Sequence, residues 1–407
     1  MTVDSEACNG TTLYLNFTLR SLAMTSSIKT LFIQDYRSLR DLGVTFGRLS
    51  VICGPNGSGK SNLYRTLRLL ADIARGNFIE SIAQEDGISS AFWAGNNAEA
   101  APTTSTKRFP RASSLRIGFA GSELGYAIDL GLPIPQDGSL FNFDPEIKSE
   151  HIWHGPVLGR KNLLVERINR SIKINAPSSM WDHFGASPFP YESIFQFISD
   201  PRQVPETLVL RQQMLSWRFY EIFRTDYSSP IRQSQLGVHS PVLASDGSNL
   251  AAALQTIREI GSSTTLDDAI LEAFPGSRIE IRLADHRIGL YFRQLGINRA
   301  FSTRELSDGI LRFLCLTAAL MTPRPPPLMV LNEPETSLDP NLFPTLARLI
   351  VDASISSQII VTSHSELLIS ALSSASDCTM IALKKIDGET LVAGRSLLDQ
   401  PAWRWNT

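Results

Sequence analysis

The chain has 407 residues, of which 43% are hydrophobic and 19% are charged, and its formal net charge is −2. This composition is ordinary for a globular protein with two or three core-forming units, and it excludes extensive disorder. The near-neutral charge excludes a surface that is basic throughout, although a local basic patch is compatible with it. The 4 cysteines form no Cys-x-x-Cys pair, which predicts core thiols in a reducing compartment.

The N-terminal residues do not resemble a secretory signal. No apolar stretch has the length of a membrane span, and Asp4 and Glu6 stand where a signal peptide would be basic. Residues 1–25 are predicted to be an N-terminal extension, either disordered or preceding the true start, for which Met24 is a candidate. We expect a cytoplasmic protein with no membrane partner.

Two strands and a turn open the folded part. Residues 28–34 and 42–46 have strand patterns, and residues 35–41 between them form a turn. A short buried strand follows at 49–53, and leucines from Leu63 onward recur at helical spacing. The order is strand, glycine-rich loop, helix.

The loop at residues 54–61 fits the phosphate-binding motif G-x-x-x-x-G-K-[ST]. Its glycines let consecutive N–H groups surround phosphate oxygens, and the helix after it directs its positive end toward them. We expect Lys60 to neutralise the β- and γ-phosphates and the Ser61 hydroxyl to ligate Mg²⁺. A chance glycine-rich turn is the alternative, and the strand–loop–helix context disfavours it. The predicted nucleotide-binding residues are Gly54, Pro55, Asn56, Gly57, Ser58, Gly59, Lys60, Ser61 and Asn62.

The middle of the chain alternates between strand and helix patterns. Residues 95–106 are predicted to be a surface loop, and residues 114–174 an antiparallel sheet. Residues 193–223 are predicted to be helical, and two short helices follow within 249–274. A hairpin is predicted within 278–293.

The last third carries polar residues at the ends of apolar elements. Ser307 is a good N-cap for an apolar helix, which makes that helix end a possible anion site. Apolar strands at 328–331 and 358–362 are followed by Glu333 and by His364. Because open α/β sheets bind ligands at the carboxyl ends of their strands, Glu333 can polarise a water for attack on the γ-phosphate.

Five stretches in order resemble the motifs of ABC-type ATPases. They are Walker A (54–61), the signature (306–309), Walker B (331–335), the D-loop (337–340) and the H-loop (362–364). With Asp35-Tyr36-Arg37-Ser38-Leu39 before the loop, the chain resembles the RecF/SMC branch, and more closely the single-chain predicted ATPases of the AAA-type core group related to RecF. The resemblance implies an α/β P-loop NTPase of ABC/RecF type, with a parallel-sheet core, an antiparallel β subdomain and an inserted helical lobe.

The resemblance also implies a dimer with ATP and Mg²⁺ between the subunits. Walker A of one subunit and the signature of the other would bind each ATP, and His364 would contact the γ-phosphate. A glutamine after the first helix is expected to contact the site, and Gln84 is the nearby candidate. The residues that would act in trans are Leu306, Ser307, Asp308, Gly309 and the D-loop Asp339.

One position departs from the family pattern. The Walker B aspartate is replaced by Asn332, which brings no negative charge to Mg²⁺. We expect weaker metal binding and slow hydrolysis, with Glu333 as the catalytic carboxylate.

The motif positions predict four segments. These are the extension (1–25), a first ATPase lobe with Walker A and the β subdomain (26–190), a helical insertion on the signature side (191–276) and a second ATPase lobe (277–407). No sustained heptad pattern is present for a coiled-coil arm.

Three functions are compatible with these residues. The first is a RecF-like ATPase of DNA repair or genome maintenance, which contacts DNA through Arg37 and Arg40. These arginines equally fit a solvated charged turn. The second is a sensor or regulatory ATPase of a defence system, whose partner is a protein effector such as a nuclease. The third is the ATP-binding subunit of a transporter.

Overall fold

The computed structural model describes residues 27–93, 114–175, 181–183 (backbone only), 187–198, 200 and 202–394. The predicted extension at 1–25 and the predicted loop at 95–106 lie outside these residues.

The chain divides into two compact units. The first contains the described residues up to Phe46, Pro55–Trp217 and those from Ala382 onward, and the second contains Gly47–Gly54 and Arg218–Ile381. The division into four segments stays a prediction.

The strands of the described residues, in chain order, are β1 (Ile28–Tyr36), β2 (Leu39–Thr45), β3 (Leu49–Cys53), β4 (Ser114–Gly121), β5 (Leu124–Gly131), β6 (Glu146–His154), β7 (Leu163–Ile168), β8 (Ser171–Asn175), β9 (Trp181–His183), β10 (Arg218–Tyr220), β11 (Gln235–Leu236), β12 (Arg278–Ala284), β13 (Arg287–Arg293), β14 (Phe301–Ser302), β15 (Leu328–Asn332), β16 (Gln358–Ser363), β17 (Cys378–Ile386) and β18 (Glu389–Val392).

The helices of the described residues are α1 (Lys60–Arg75), α2 (Phe78–Ala83), α3 (Ile88–Ala91), α4 (Ile194–Phe197), α5 (Pro205–Leu215), α6 (Leu250–Ile260), α7 (Ser263–Ala273), α8 (Asp308–Leu320), α9 (Phe343–Ser354) and α10 (Glu366–Ser373), with 3₁₀ turns at Pro230–Arg232 and Pro340–Leu342.

An antiparallel sheet dominates the first unit. Its strand order is β2-β1-β4-β5-β6-β7-β8-β9, and every neighbouring pair is antiparallel. The predicted antiparallel sheet is therefore confirmed. The turn between β1 and β2 is shorter than predicted, because Arg37 adopts a left-handed conformation (φ 51°) that closes the hairpin tightly.

Helix α1 forms the other main part of the first unit. Leu63, Leu67 and Leu70 are all fully buried, because their spacing places them on one face of the helix. Burying each side chain stabilises the fold by roughly 1.5–3 kcal/mol. Gly76 ends the helix in a left-handed conformation (φ 89°), which an L-residue would adopt only with strain.

The second unit contains the parallel strands. Their order is β10-β15-β16-β3, with all three pairings parallel. The strands are almost wholly buried because they consist of apolar runs, as expected for a parallel sheet covered on both faces. Their carboxyl ends lie along one edge, which positions the residues that follow Leu331 and Thr362. Strand β17 runs from this unit into the first, where its later residues pair with β18.

The predicted helix at 193–223 is wrong at its C-terminal end. Helix α5 ends at Leu215, and Arg218–Tyr220 form β10, paired with Met329–Leu331 of β15. An apolar run of this length fits either a helix or a buried strand, and here pairing with a neighbouring strand decides between them. This change determines the position of the next residue, Glu221.

A small antiparallel sheet and several helices complete the second unit. Strands β12 and β13 form the predicted hairpin, whose turn uses Asp285 and His286 at positive φ. The two predicted helices within 249–274 are α6 and α7. Helix α8 is buried on most of its surface, as its apolar composition predicts.

Candidate active site

Three glycines of the predicted phosphate-binding loop have a backbone conformation that favours glycine. Gly54, Gly57 and Gly59 all have positive φ, and Gly59 stands immediately before α1. A Cβ at Gly59 would come within 2.3 Å of Thr390 Oγ1, so the position requires glycine for space as well as for conformation. The Ser58 hydroxyl is buried with no hydrogen-bond partner in the structure. A buried polar atom without a partner inside such a loop fits an anion-binding site.

The lysine and serine of the motif differ in exposure. Lys60 is largely buried, and its Nζ donates to the Pro55 carbonyl oxygen at 3.2 Å. Ser61 is exposed in the first turn of α1. The ammonium group therefore lies close to the backbone of its own loop.

A hydrogen-bonded chain supports the start of α1 in the first unit. Asn62 Nδ2 donates to Ser38 Oγ at 2.8 Å, and Ser38 Oγ is 2.7 Å from Thr390 Oγ1. The Thr390 N–H also donates to the Ser38 carbonyl at 2.8 Å. Thr390 was not predicted as a site residue, because nothing in a strand near the C-terminus indicates a contact with residue 38.

Glu333 and His364 follow adjacent parallel strands of the second unit. The Glu333 N–H donates to the Thr362 carbonyl at 2.9 Å, and Glu333 has a positive φ of 49°. The two side chains approach within 3.5 Å, from His364 Nδ1 to Glu333 Oε1. Both are partly exposed, so they can reach a ligand at this edge of the sheet. The structure thus brings together the two residues that the sequence placed at two separate strand ends.

Glu335 holds the segment that carries His364. Its Oε1 accepts hydrogen bonds from Ser363 Oγ at 2.6 Å, from the His364 N–H at 3.0 Å and from the Ser365 N–H at 3.3 Å. The side chain is only 4% exposed, and its Oε2 has no hydrogen-bond partner in the structure. Glu335 was part of the predicted Walker B stretch but had no predicted role, and its contacts give it a positioning one.

Asn332 is held from two sides. Its Oδ1 accepts a hydrogen bond from Thr362 Oγ1 at 2.5 Å, and its Nδ2 donates to Glu221 Oε1 at 3.2 Å. Glu221 was not predicted as a site residue, because a helix was predicted where β10 places this carboxylate beside Asn332.

The signature and the D-loop approach each other within the second unit. Ser307 caps α8, with its Oγ accepting from the Ile310 N–H at 3.4 Å. A Cβ at Gly309 would lie 3.0 Å from the Ser337 carbonyl, so glycine permits this close approach. Asp339 caps the next 3₁₀ turn through the Asn341 N–H at 2.9 Å. Leu306 is buried, whereas Ser307, Asp308 and Asp339 are exposed.

Arg232 holds the signature segment in place through hydrogen bonds to its backbone and to Asp308. Its guanidinium donates to the carbonyls of Thr303 (2.8 Å) and Leu306 (2.8 Å) and to Asp308 Oδ1 (2.7 Å). The side chain is 8% exposed. Arg232 was also missed, since it precedes the motif by more than 70 residues and matches no motif of its own.

The remaining predicted residues lie in the first unit. Arg37 makes an ion pair with Glu85 (3.0 Å) and stands beside the Tyr36 ring, whereas Arg40 is exposed on β2. Burial raises the pKa of the Tyr36 phenol, and the neighbouring Glu85 carboxylate raises it further. Gln84 is exposed and follows α2 as its C-cap. The DNA-contact role of the arginines and the nucleotide-contact role of Gln84 stay predictions.

The fold is that of a P-loop NTPase of the ABC type, with an SMC/RecF-like ATPase core. The Smc head domain of Pyrococcus yayanosii, solved with a coiled coil and joint, has a TM-score of 0.50 at 12% identity, covering 92% of this chain and 98% of that one. The Smc head domain of Pyrococcus furiosus was solved with an extended coiled coil, bound to the C-terminal domain of ScpA. It has a TM-score of 0.47 at 13% identity, covering 92% of this chain and 97% of that one. The SMC head domain of Thermotoga maritima has a TM-score of 0.43 at 17% identity, covering 91% of this chain and 99% of that one.

The chain belongs to the AAA_21 family, described as "AAA domain, putative AbiEii toxin, Type IV TA system", whose model matches residues 49–370. It is therefore a nucleotide-binding ATPase. No curated protein matches it. Within the described part of the chain, no helix is long and apolar enough to cross a membrane.

Proposed function

We propose that this protein is a Mg²⁺-dependent ATPase that dimerises on ATP and acts on DNA in repair or genome maintenance. The observation that carries the ATPase mechanism is the 3.5 Å approach of His364 to Glu333 at the ends of two parallel strands. This pair supplies a carboxylate and an imidazole at the sheet edge where α/β proteins bind their ligands.

The glycine-rich loop would bind the ATP phosphates. Its N–H groups and Lys60 provide positive charge, and the partnerless Ser58 hydroxyl supports an anion in the loop. Ser61 and Asn332 are the residues that the motifs assign to Mg²⁺. When bound, the metal would neutralise charge on the β- and γ-phosphates.

Glu333 would act as the general base for the attacking water. Its side chain is 35% exposed, so a water can reach it. His364 would contact the γ-phosphate, and Glu335 would fix its position through the bonds to residues 363–365. Hydrolysis is expected to be slow unless another carboxylate supplies the charge that Asn332 does not bring to the metal.

The signature would act on the ATP of a second subunit. Ser307 and Asp308 are exposed at the N-terminus of α8, and Asp339 is exposed in the D-loop. Exposed N–H groups and a capping hydroxyl at a helix end favour an anionic ligand. Each nucleotide site would then be completed only in the dimer.

The test is the molar mass of the Glu333→Gln protein by light scattering, with and without ATP and Mg²⁺. The variant keeps binding but removes the base, so we expect a stable ATP-dependent dimer. Glu259→Gln, an equal charge change at an exposed site, should dimerise only transiently, like the wild type. A Glu333→Gln protein that hydrolyses ATP at the wild-type rate would show that Glu333 is not the general base.

Repeating the light-scattering measurement with duplex DNA over a salt series tests the DNA proposal, since phosphate contacts make affinity salt-dependent.

A second candidate has its own support. The family description names a toxin of a toxin–antitoxin system, and the Arg37 guanidinium is already paired with Glu85. The family description favours a role in a defence system, and the ion pair disfavours a DNA contact through Arg37. We infer that such an ATPase would act with a protein effector. A dimer indifferent to DNA, together with a DNA-independent complex with the product of a neighbouring gene, would favour this candidate.

A further inference from the structure

Glu221 lies beside Asn332 at the carboxyl edge of the parallel sheet. Strands β10 and β15 are parallel, with Tyr220 opposite Leu331 in the register. Glu221 directly follows β10 and Asn332 is the last residue of β15, so the two residues lie side by side at the carboxyl edge of the sheet. The hydrogen bond of 3.2 Å between their side chains follows from this register.

The hydrogen bonds of Asn332 explain why an amide fits there. Its oxygen accepts from the Thr362 hydroxyl at 2.5 Å, so its NH₂ group is directed at Glu221. An aspartate at 332 would place two carboxylates in contact, and like charges at this distance disfavour ionisation of one of them. The pair Asn332 and Glu221 thus brings one carboxylate to this edge, as a single Walker B aspartate would.

We propose that Glu221 supplies the carboxylate of the magnesium site, in place of the Walker B aspartate that Asn332 replaces. The inference rests on the proposed Mg²⁺-dependent nucleotide binding and names the residue that provides its charge. Glu221 is exposed, so its carboxylate can reach a metal without unfolding the strand.

A single carboxylate is compatible with magnesium binding. Within the part of the chain that the structure describes, no group of three or more His, Cys, Asp and Glu side chains is placed to hold a metal. Mg²⁺ keeps several waters and is typically bound through one or two carboxylates together with substrate phosphates. One carboxylate, together with the phosphates of a bound nucleotide, is therefore a sufficient protein contribution.

The experiment measures metal binding directly. Mn²⁺, as a paramagnetic substitute for Mg²⁺, is titrated into the full-length protein with AMP-PNP, and free Mn²⁺ is read by electron paramagnetic resonance. We expect Glu221→Gln to weaken Mn²⁺ binding about 10-fold or more, the range for loss of a residue that supports a metal site. Glu259→Gln, the matched charge change at an exposed position, should bind Mn²⁺ like the wild type.

A charge swap separates a metal role from general damage. In the double variant Glu221→Gln and Asn332→Asp the carboxylate moves to the neighbouring strand, and we expect it to restore most of the Mn²⁺ affinity. In EDTA, the affinity of Glu221→Gln for ATP should equal that of the wild type, because the loop and Lys60 do not depend on Glu221. Wild-type Mn²⁺ affinity in Glu221→Gln, no recovery in the swap, or an equal loss of ATP affinity in EDTA would each overturn the inference.

Failure of this inference differs from failure of the proposed function. If Lys60→Ala loses ATP while Glu221→Gln keeps its Mn²⁺ affinity, the nucleotide site stands and only the assignment of Glu221 is wrong. If Lys60→Ala binds ATP like the wild type, the nucleotide site itself is misplaced.

Discussion

Arg232 and Asp308 form an ion pair of 2.7 Å between a 3₁₀ turn and the first residue of α8. The arginine is buried and the aspartate is 59% exposed, so the two side chains contribute differently to the free energy of unfolding. The arginine also satisfies backbone carbonyls of the segment before α8, which water cannot reach as readily. The signature therefore depends on a residue far away in sequence.

Replacing this arginine should destabilise the fold. Arg232→Met keeps the length of the side chain but leaves the Thr303 and Leu306 carbonyls without their donor, so we expect a loss of about 3 kcal/mol in the free energy of unfolding. Urea denaturation followed by fluorescence measures it. Asp308→Asn is the control: it removes only an exposed charge and should cost less than about 1 kcal/mol. Equal losses in the two variants would show that the ion pair, and not the carbonyl bonds, carries the stability.

Lys60→Ala should weaken ATP binding severely. The variant removes the charge held over the loop, at 3.2 Å from the Pro55 carbonyl, and leaves the glycine backbone intact. Titration with a fluorescent ATP analogue gives the affinity. Arg75→Ala, which removes one positive charge at the other end of α1, is the matched control and should bind ATP normally.

Glu335→Ala should reduce turnover more than ATP binding. Without the carboxylate, the N–H groups of His364 and Ser365 lose their acceptor and the histidine loses its fixed position. We expect kcat to fall at least about 10-fold, as for other losses of positioning, while ATP affinity changes little. Glu335→Gln retains an oxygen acceptor and should recover part of kcat. Steady-state kinetics measures kcat in both variants, and thermal unfolding checks that both are folded. An unchanged kcat in Glu335→Ala would contradict the positioning role.

The stability of the protein should fall in mild acid in part because of His151. Burial lowers the pKa of this imidazole, and the Glu166 carboxylate, 3.9 Å away, opposes the shift. Since the folded pKa lies below the unfolded value of about 6.5, the unfolded state binds more protons as the pH falls through this range. The stabilisation is therefore complete above about pH 6.5 and is lost as the pH falls through the folded pKa.

The check is urea denaturation of the wild type and of His151→Gln at pH 7.5 and pH 5.5. We expect the variant to lose less stability between the two pH values. His239→Gln is the control, since it makes the same substitution at a side chain that is 69% exposed. An identical pH dependence in His151→Gln and the wild type would assign the acid sensitivity to other groups.

Much of the site could be predicted because its chemistry is local in sequence. The glycine loop, the Ser307 cap and the apolar strands that end at Asn332 and Thr362 are each encoded by neighbouring residues, so spacing and periodicity reveal them. The edge where Glu333 and His364 meet follows from the general rule that parallel strands share a carboxyl edge.

The sequence by itself determined the order of the motifs and the class of fold, because both depend on short-range patterns. The tertiary structure decided that Arg218–Tyr220 is a strand, since only pairing with β15 selects strand over helix for so short an apolar run. From that pairing follow the contact of Glu221 with Asn332 and a candidate source of the charge that Asn332 lacks. Thr390 and Arg232 are likewise positioned by contacts between residues distant in the chain, which no local spacing encodes.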